Sequence, residues 1–174
     1  MNPALGPFAI AALLLVIAGV LKALRPHDTA VALQMMRLPV SDTPVRAGGL
    51  AEALLGVAAL VTVDAVIAAL VAISYAGFCC FVVCALVRRL PIASCGCFGR
   101  VETPPSRLHV AIGLGACAAA IGMALDAAVS PLEVVTQHFP VSAAYVLLVV
   151  VGVFTSFALL AALPRSRALR ASLT

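Results

Sequence analysis

Residues 65–87 read AVIAALVAISYAGFCCFVVCALV, with Asp64 on one side and Arg88-Arg89 on the other. A helix of that length rises about 34 Å, a little more than the ~30 Å hydrocarbon core of a bilayer. No side chain in the stretch is charged. Only a structure that closes its backbone hydrogen bonds internally can cross lipid, and a helix does so. The stretch therefore reads as a membrane span.

The same signature recurs on both sides. A first apolar run covers about 5–24 and stops at Leu24-Arg25-Pro26, where proline cannot continue a helix. A second covers about 44–63, with Thr43-Pro44 offering an N-cap followed by proline at the first helical position. Two more follow at about 108–125 and 141–163, the last leading into the basic tail PRSRALRASLT. The opening MNPALGPF lacks the positive region of a cleavable signal, so the first run is expected to stay as a span.

Composition agrees: 64% of the 174 residues are hydrophobic and 10% are charged, with a mean hydropathy of +1.18. A small water-soluble globule cannot hide that much apolar surface. The expectation is an all-α integral membrane protein. It is a single bundle of about five transmembrane helices over 1–174, with short interfacial helices between them. One such helix is predicted over about 29–38, capped by Asp28, either along the membrane surface with Val31, Leu33 and Met36 facing lipid or protein, or equally as an ordinary packed connector. Another opens at Ser130-Pro131-x-Glu133, a capping-box pattern. Ala111, Gly115 and Ala119, four residues apart, predict a close helix contact on the fourth span.

The net charge of +4 does not point to nucleic acid, because the basic residues stand at the ends of apolar runs. Arg25, Arg37 and Arg46 flank the first connector, Arg88, Arg89, Arg100 and Arg107 the loop after the third span, and Arg165, Arg167 and Arg170 lie in the tail. The opposite face carries Asp64, Asp126 and Glu133. The positive-inside rule then predicts a multi-pass protein of the cell's cytoplasmic (inner) membrane, N-terminus outside and C-terminus in the cytoplasm. No phosphate-binding glycine loop, serine-nucleophile elbow or paired-histidine zinc helix occurs.

The loop after the third span holds Cys95-Gly96-Cys97-Phe98-Gly99, on the cytoplasmic side by the same rule. Two cysteines one residue apart close only a small ring. Departure from relaxed disulfide geometry makes such a bond easy to reduce, the mark of a catalytic or regulatory disulfide. Gly96 and Gly99 leave room for the turn. Arg88, Arg89, Arg100 and Arg107 would favour the thiolate, the reactive form. Of the other four cysteines, Cys84 and Cys117 read as small packing residues. Cys79 and Cys80 read the same way with less weight. If electrons have to cross the membrane from the loop, Cys79, Cys80 and Cys84 are the residues in place to pass them.

The loop motif CGCFG resembles that of the MauE family of methylamine utilisation membrane proteins, grouped with DoxX-like redox-associated membrane proteins. The first span ends in GVLKALRP and the next contains GGLAEALLGVAAL; both segments resemble that family's Lys and Glu positions, here Lys22 and Glu52. SRLHVAIGLG resembles its entry into the fourth span, although Arg107-Leu108-His109 stands where many relatives have Arg-Asn. The resemblance covers about 10–125. It implies a protein that supports disulfide formation or isomerisation in an exported partner, beside a thioredoxin-like protein, as in the maturation of methylamine dehydrogenase. It requires no particular cofactor, and a quinone is compatible with it.

Glu52 and Lys22 carry weight without the resemblance, since a charge inside a span is costly and functional by default. At similar depth, they are expected to pair in a pocket beside Cys95 or Cys97. His109 reads as an interfacial residue, and His27 and His138 as surface-loop residues without partners. The competing function is a soft-metal (copper- or mercury-type) transporter or chaperone, using Cys79-Cys80, the loop cysteines and Met35-Met36. Two thiolates per site are few for it, and no four-ligand set is apparent.

Overall fold

The computed structural model describes residues 2–62, 64–90, 105–126, 129–136 and 140–171. Those residues form seven helices: α1 Leu5–Leu24, α2 Pro26–Met35, α3 Asp42–Val61, α4 Ala65–Val87, α5 Arg107–Leu125, α6 Pro131–Val135 and α7 Val141–Ala171. Five are long and apolar enough to cross a membrane: α1, α3, α4, α5 and the Val141–Leu160 part of α7. The chain is an all-α multi-pass membrane protein. Cys95, Gly96, Cys97, Phe98, Gly99 and Arg100 lie outside the described residues, as does His138.

Helix α4 coincides with the uncharged stretch between Asp64 and Arg88. The Asp64 carboxylate fixes its start by accepting from the backbone N–H groups of Val66 and Ile67, at 2.7 and 3.3 Å. At its far end Leu90 N–H donates to the Ala85 carbonyl (3.1 Å) while Arg89 takes a φ of 48°. Arg37, at φ 66°, ends α2 with the same backbone pattern. In both cases arginine fills the left-handed position where glycine is usual.

Several boundaries differ from the sequence reading. Helix α2 starts at Pro26 rather than near Thr29, because a proline at the first position loses no hydrogen bond; Asp28 sits in the first turn instead of capping it. It is a packed connector rather than a surface helix. Ala30 and Ala32 are buried, and Ala32 meets Ala85 of α4, while Val31, Leu33 and Met36 are only partly covered. His27 belongs to α2 and has a neighbour, its Nδ1 standing 3.6 Å from an Asp42 carboxylate oxygen. Helix α3 begins at Asp42, with Ser41 and not Thr43 in the capping position. Proline tolerates any place in a first turn, so Pro44 did not fix the boundary. Helix α7 continues through Pro164 to Ala171 instead of stopping at Leu163. Proline's fixed φ is helical, and its position there removes only one backbone donor.

At the bundle's centre is α1. Of its apolar window 39% is buried, against 17% for α7, so α7 lies at the lipid-facing edge. Phe8, Ala9, Ala12 and Leu15 of α1 pack with Ala59 of α3, Val71 and Ala72 of α4, Ala119 and Ala120 of α5, and Val149 of α7. The backbones of α1 and α3 touch. A Cβ on Gly19 would stand 2.5 Å from the Ala53 nitrogen, and one on Gly49 2.7 Å from the Gly19 oxygen. Lipid tails are as apolar as leucine, so association comes from such close approach rather than from hydrophobic burial. Ser130 caps α6 as expected, accepting from Glu133 N–H at 3.1 Å.

The α4–α5 seam corrects the expected small-residue stripe. Ala111 and Gly115 are exposed, and of the expected stripe only Ala119 is buried, alongside Gly113, Ala116 and Ala120. In a helix so rich in alanine and glycine more than one stripe has four-residue spacing, and composition does not choose among them. A Cβ on Gly113 would lie 2.5 Å from Cys79 Sγ. Gly113→Val is expected to lower stability by about 1–3 kcal/mol through overpacking. The added Cys79→Ala change should recover part of that, as read by Tm in detergent.

Candidate functional site

The close α1–α3 crossing sets the geometry of the site. Gly49 and Ala53 give up side-chain volume to α1, so Glu52, on the adjoining side of α3, comes level with Lys22. Lys22 Nζ donates to Glu52 Oε2 at 2.5 Å. The side chains keep 17% and 28% of their surface before any lipid is counted. Glu52 is near the midpoint of α3 and faces Ser74 and Phe78, near the midpoint of α4. The pair thus sits deep in the membrane, where an isolated charge has no water to offset its desolvation and a partner removes much of the cost.

Two cavities meet at this pair. A small, partly open space of about 50 Å³ is lined by Lys22 and Glu52 together with Ser74, Tyr75, Phe78 and His109. On the other side, a groove of about 380 Å³ opens between α2, α3 and α4, bounded by Thr29, Leu33, Gly48, Ile73, Gly77 and Phe81. Lys22, Glu52, Ser74 and Phe78 belong to both.

His109 stands in the first turn of α5 and turns into the bundle, only 2% exposed. Its Nδ1 lies 2.8 Å from Ser106 Oγ. Ser106 occupies the N-cap position of α5, yet its hydroxyl makes no capping bond and engages the imidazole instead. This orients the ring, whose face is tilted against Phe78 with centroids 6.5 Å apart. With Nδ1 engaged, Nε2 is the nitrogen left for the cavity. Tyr75 escaped the sequence reading; its hydroxyl donates to the Ala11 carbonyl at 2.7 Å, tying α4 to α1 beside the cavity. The available signals were Ser74-Tyr75, polar in an apolar span, and the Ser106-x-x-His109 spacing.

The cysteines of α4 separate. Cys79 is buried in the seam, its thiol 3.8 Å from the Val110 carbonyl; Cys80 is exposed and Cys84 half-buried. Cys117 packs across the same seam, its thiol 3.5 Å from the Ala72 carbonyl. Thiol contacts with carbonyls are the behaviour of packing cysteines. Neighbours on a helix point about 100° apart, so Cys79 and Cys80 do not converge on one ion. Among the described residues no three His, Cys, Asp or Glu side chains gather to hold a metal. Arg88, Arg89 and Arg107 are exposed at the ends of α4 and α5, where segment 91–104 joins the two helices.

A family model described as methylamine utilisation protein MauE matches residues 3–129, which takes in α1 to α5 and leaves α6 and α7 outside. No curated protein and no solved structure matches the chain.

Proposed function

The chain belongs to the MauE family of methylamine utilisation membrane proteins, and from that premise we propose that it is a membrane thiol–disulfide redox protein. Cys95 and Cys97 form the exchanging pair and serve disulfide formation or isomerisation in an exported partner, as in the maturation of methylamine dehydrogenase. In the oxidising direction the exported partner's dithiol becomes a disulfide and the Cys95–Cys97 disulfide becomes a dithiol, either by electron passage across the membrane or by direct exchange with a pair seated deep enough to be reached from the other side. Two electrons and two protons pass to the pair. A thioredoxin-like protein's disulfide takes them up again.

One observation carries the reading: a Lys22–Glu52 pair on the wall of a largely apolar cavity shared with His109, two residues into the helix that segment 91–104 enters. Lys22 favours a thiolate or an ionised Glu52, and a protonated Glu52 supplies the proton that disulfide reduction consumes. Arg88, Arg89, Arg100 and Arg107 hold the cysteine loop electropositive, which favours thiolates. By the positive-inside rule that loop and the C-terminus lie in the cytoplasm, with the N-terminus outside the cytoplasmic membrane. Where electrons cross the membrane, Cys79, Cys80 and Cys84 of α4 are the thiols available to pass them.

Differential alkylation tests both halves. In intact cells Cys95 and Cys97 should be protected together under oxidant and labelled together after reductant, as mass spectrometry of the peptide will report. A membrane-impermeant maleimide should reach them only in inverted vesicles. Cysteines that stay reduced under oxidant would remove the redox reading, and labelling from outside would reverse the orientation.

A further inference from the structure

We infer that the groove between α2, α3 and α4 binds a neutral, lipid-soluble carbonyl compound of the quinone class, taken laterally from the bilayer. Its purpose rests on the thiol–disulfide reading; its binding does not.

The first observation is a pair of glycines with no packing role. Gly48 and Gly77 stand inside α3 and α4 and line the groove, and a Cβ on either would meet nothing within 4 Å. Gly19, Gly49 and Gly113 are different, since a Cβ on any of them would run into a neighbouring helix. Glycine in a helix costs about 1 kcal/mol relative to alanine. At Gly48 and Gly77 no helix contact offsets that cost, and what the missing side chains leave is open groove.

The second observation is the match of size, access and charge. About 380 Å³ falls in the range of small-molecule sites. Ile73 is 65% exposed and Gly77 lies next to the midpoint of α4, so this side of the groove opens to the bilayer interior. Phe78 and Phe81 give aromatic walls for a planar ring. The floor is the Lys22–Glu52 pair, whose charges cancel. An anionic headgroup would meet Glu52, and a cation would meet Lys22. The ammonium has three donors and spends one on Glu52, leaving donors for a carbonyl oxygen. The 50 Å³ cavity is too small for the ring but large enough for water beside His109 and Glu52. It offers a route for protons. In the coupled reaction the Cys95/Cys97 dithiol becomes a disulfide and the quinone a quinol, with two electrons and two protons moving from sulfur to the quinone oxygens.

The test uses the full-length protein in nanodiscs, titrated with decylubiquinone and followed by equilibrium partition and by Tm. Gly77→Leu should weaken binding about tenfold or more by filling the groove, without lowering the Tm of the unliganded protein. Gly115→Leu is the control. Its Cβ also has open space, but on an exposed face of α5 away from the groove, and its binding should match the wild type. The Cys95→Ser/Cys97→Ser double variant should still bind, which separates this site from the thiol chemistry. Equal binding by wild type and Gly77→Leu, or displacement of the quinone by phospholipid at equimolar amounts, overturns the proposal.

Discussion

Cys95→Ser and Cys97→Ser are each expected to reduce disulfide exchange on the order of a hundredfold or more while the protein still inserts and folds. Serine keeps the size of the side chain but supplies no thiolate at neutral pH, so the exchanging sulfur is lost outright. Insertion rests on the five apolar helices, and both positions fall in sequence between the end of α4 at Val87 and the start of α5 at Arg107. The two single variants should also differ from the double. With one sulfur left, a mixed disulfide with the partner forms but is not resolved, so a covalent complex accumulates. With both replaced, no complex forms. Non-reducing electrophoresis of protein purified from cells reads the difference, and mass spectrometry of the trapped band identifies the partner. Wild-type exchange in both single variants would remove the pair from the mechanism.

The spans were legible because length and apolarity are what a bilayer selects. Helix α4 was readable to the residue because charges stand at both of its ends, Asp64 and Arg88. Helices α2 and α3 were less so, because each start offers several capping side chains near a proline (Asp28 after Pro26; Ser41, Asp42 and Thr43 before Pro44), and proline fits several places in a first turn. The Lys22–Glu52 pair was foreseeable for an energetic reason: two opposite charges in apolar spans at similar depth have few other ways to be satisfied. His109 and Tyr75 were not. Whether a polar residue in a span meets lipid or its neighbours depends on which face the helix turns inward. In α5 that face is set by Gly113 against Cys79, a contact between residues far apart in the chain. The small-residue stripe was misassigned for the same reason.

Removing one member of the Lys22–Glu52 pair should cost much more than removing both. Glu52→Ala leaves the ammonium at mid-membrane depth with no counter-charge, and Lys22→Met does the same to the carboxylate. Breaking a buried pair from one side costs about 3–5 kcal/mol, whereas replacing both partners by apolar residues of similar volume is often neutral. Lys22→Met/Glu52→Met should therefore regain most of the stability lost by either single change, seen as recovery of Tm in detergent. The double-mutant cycle should give a coupling of about 1–3 kcal/mol. Activity should not follow stability. If the pair governs protonation at the exchanging cysteines, the double variant is as stable as the wild type yet exchanges disulfides poorly, and Lys22→Arg, which keeps the charge, exchanges better than Lys22→Met. A double variant that regains both stability and exchange would make the pair a structural tie between α1 and α3. The proton role would then pass to His109, whose imidazole lines the same cavity.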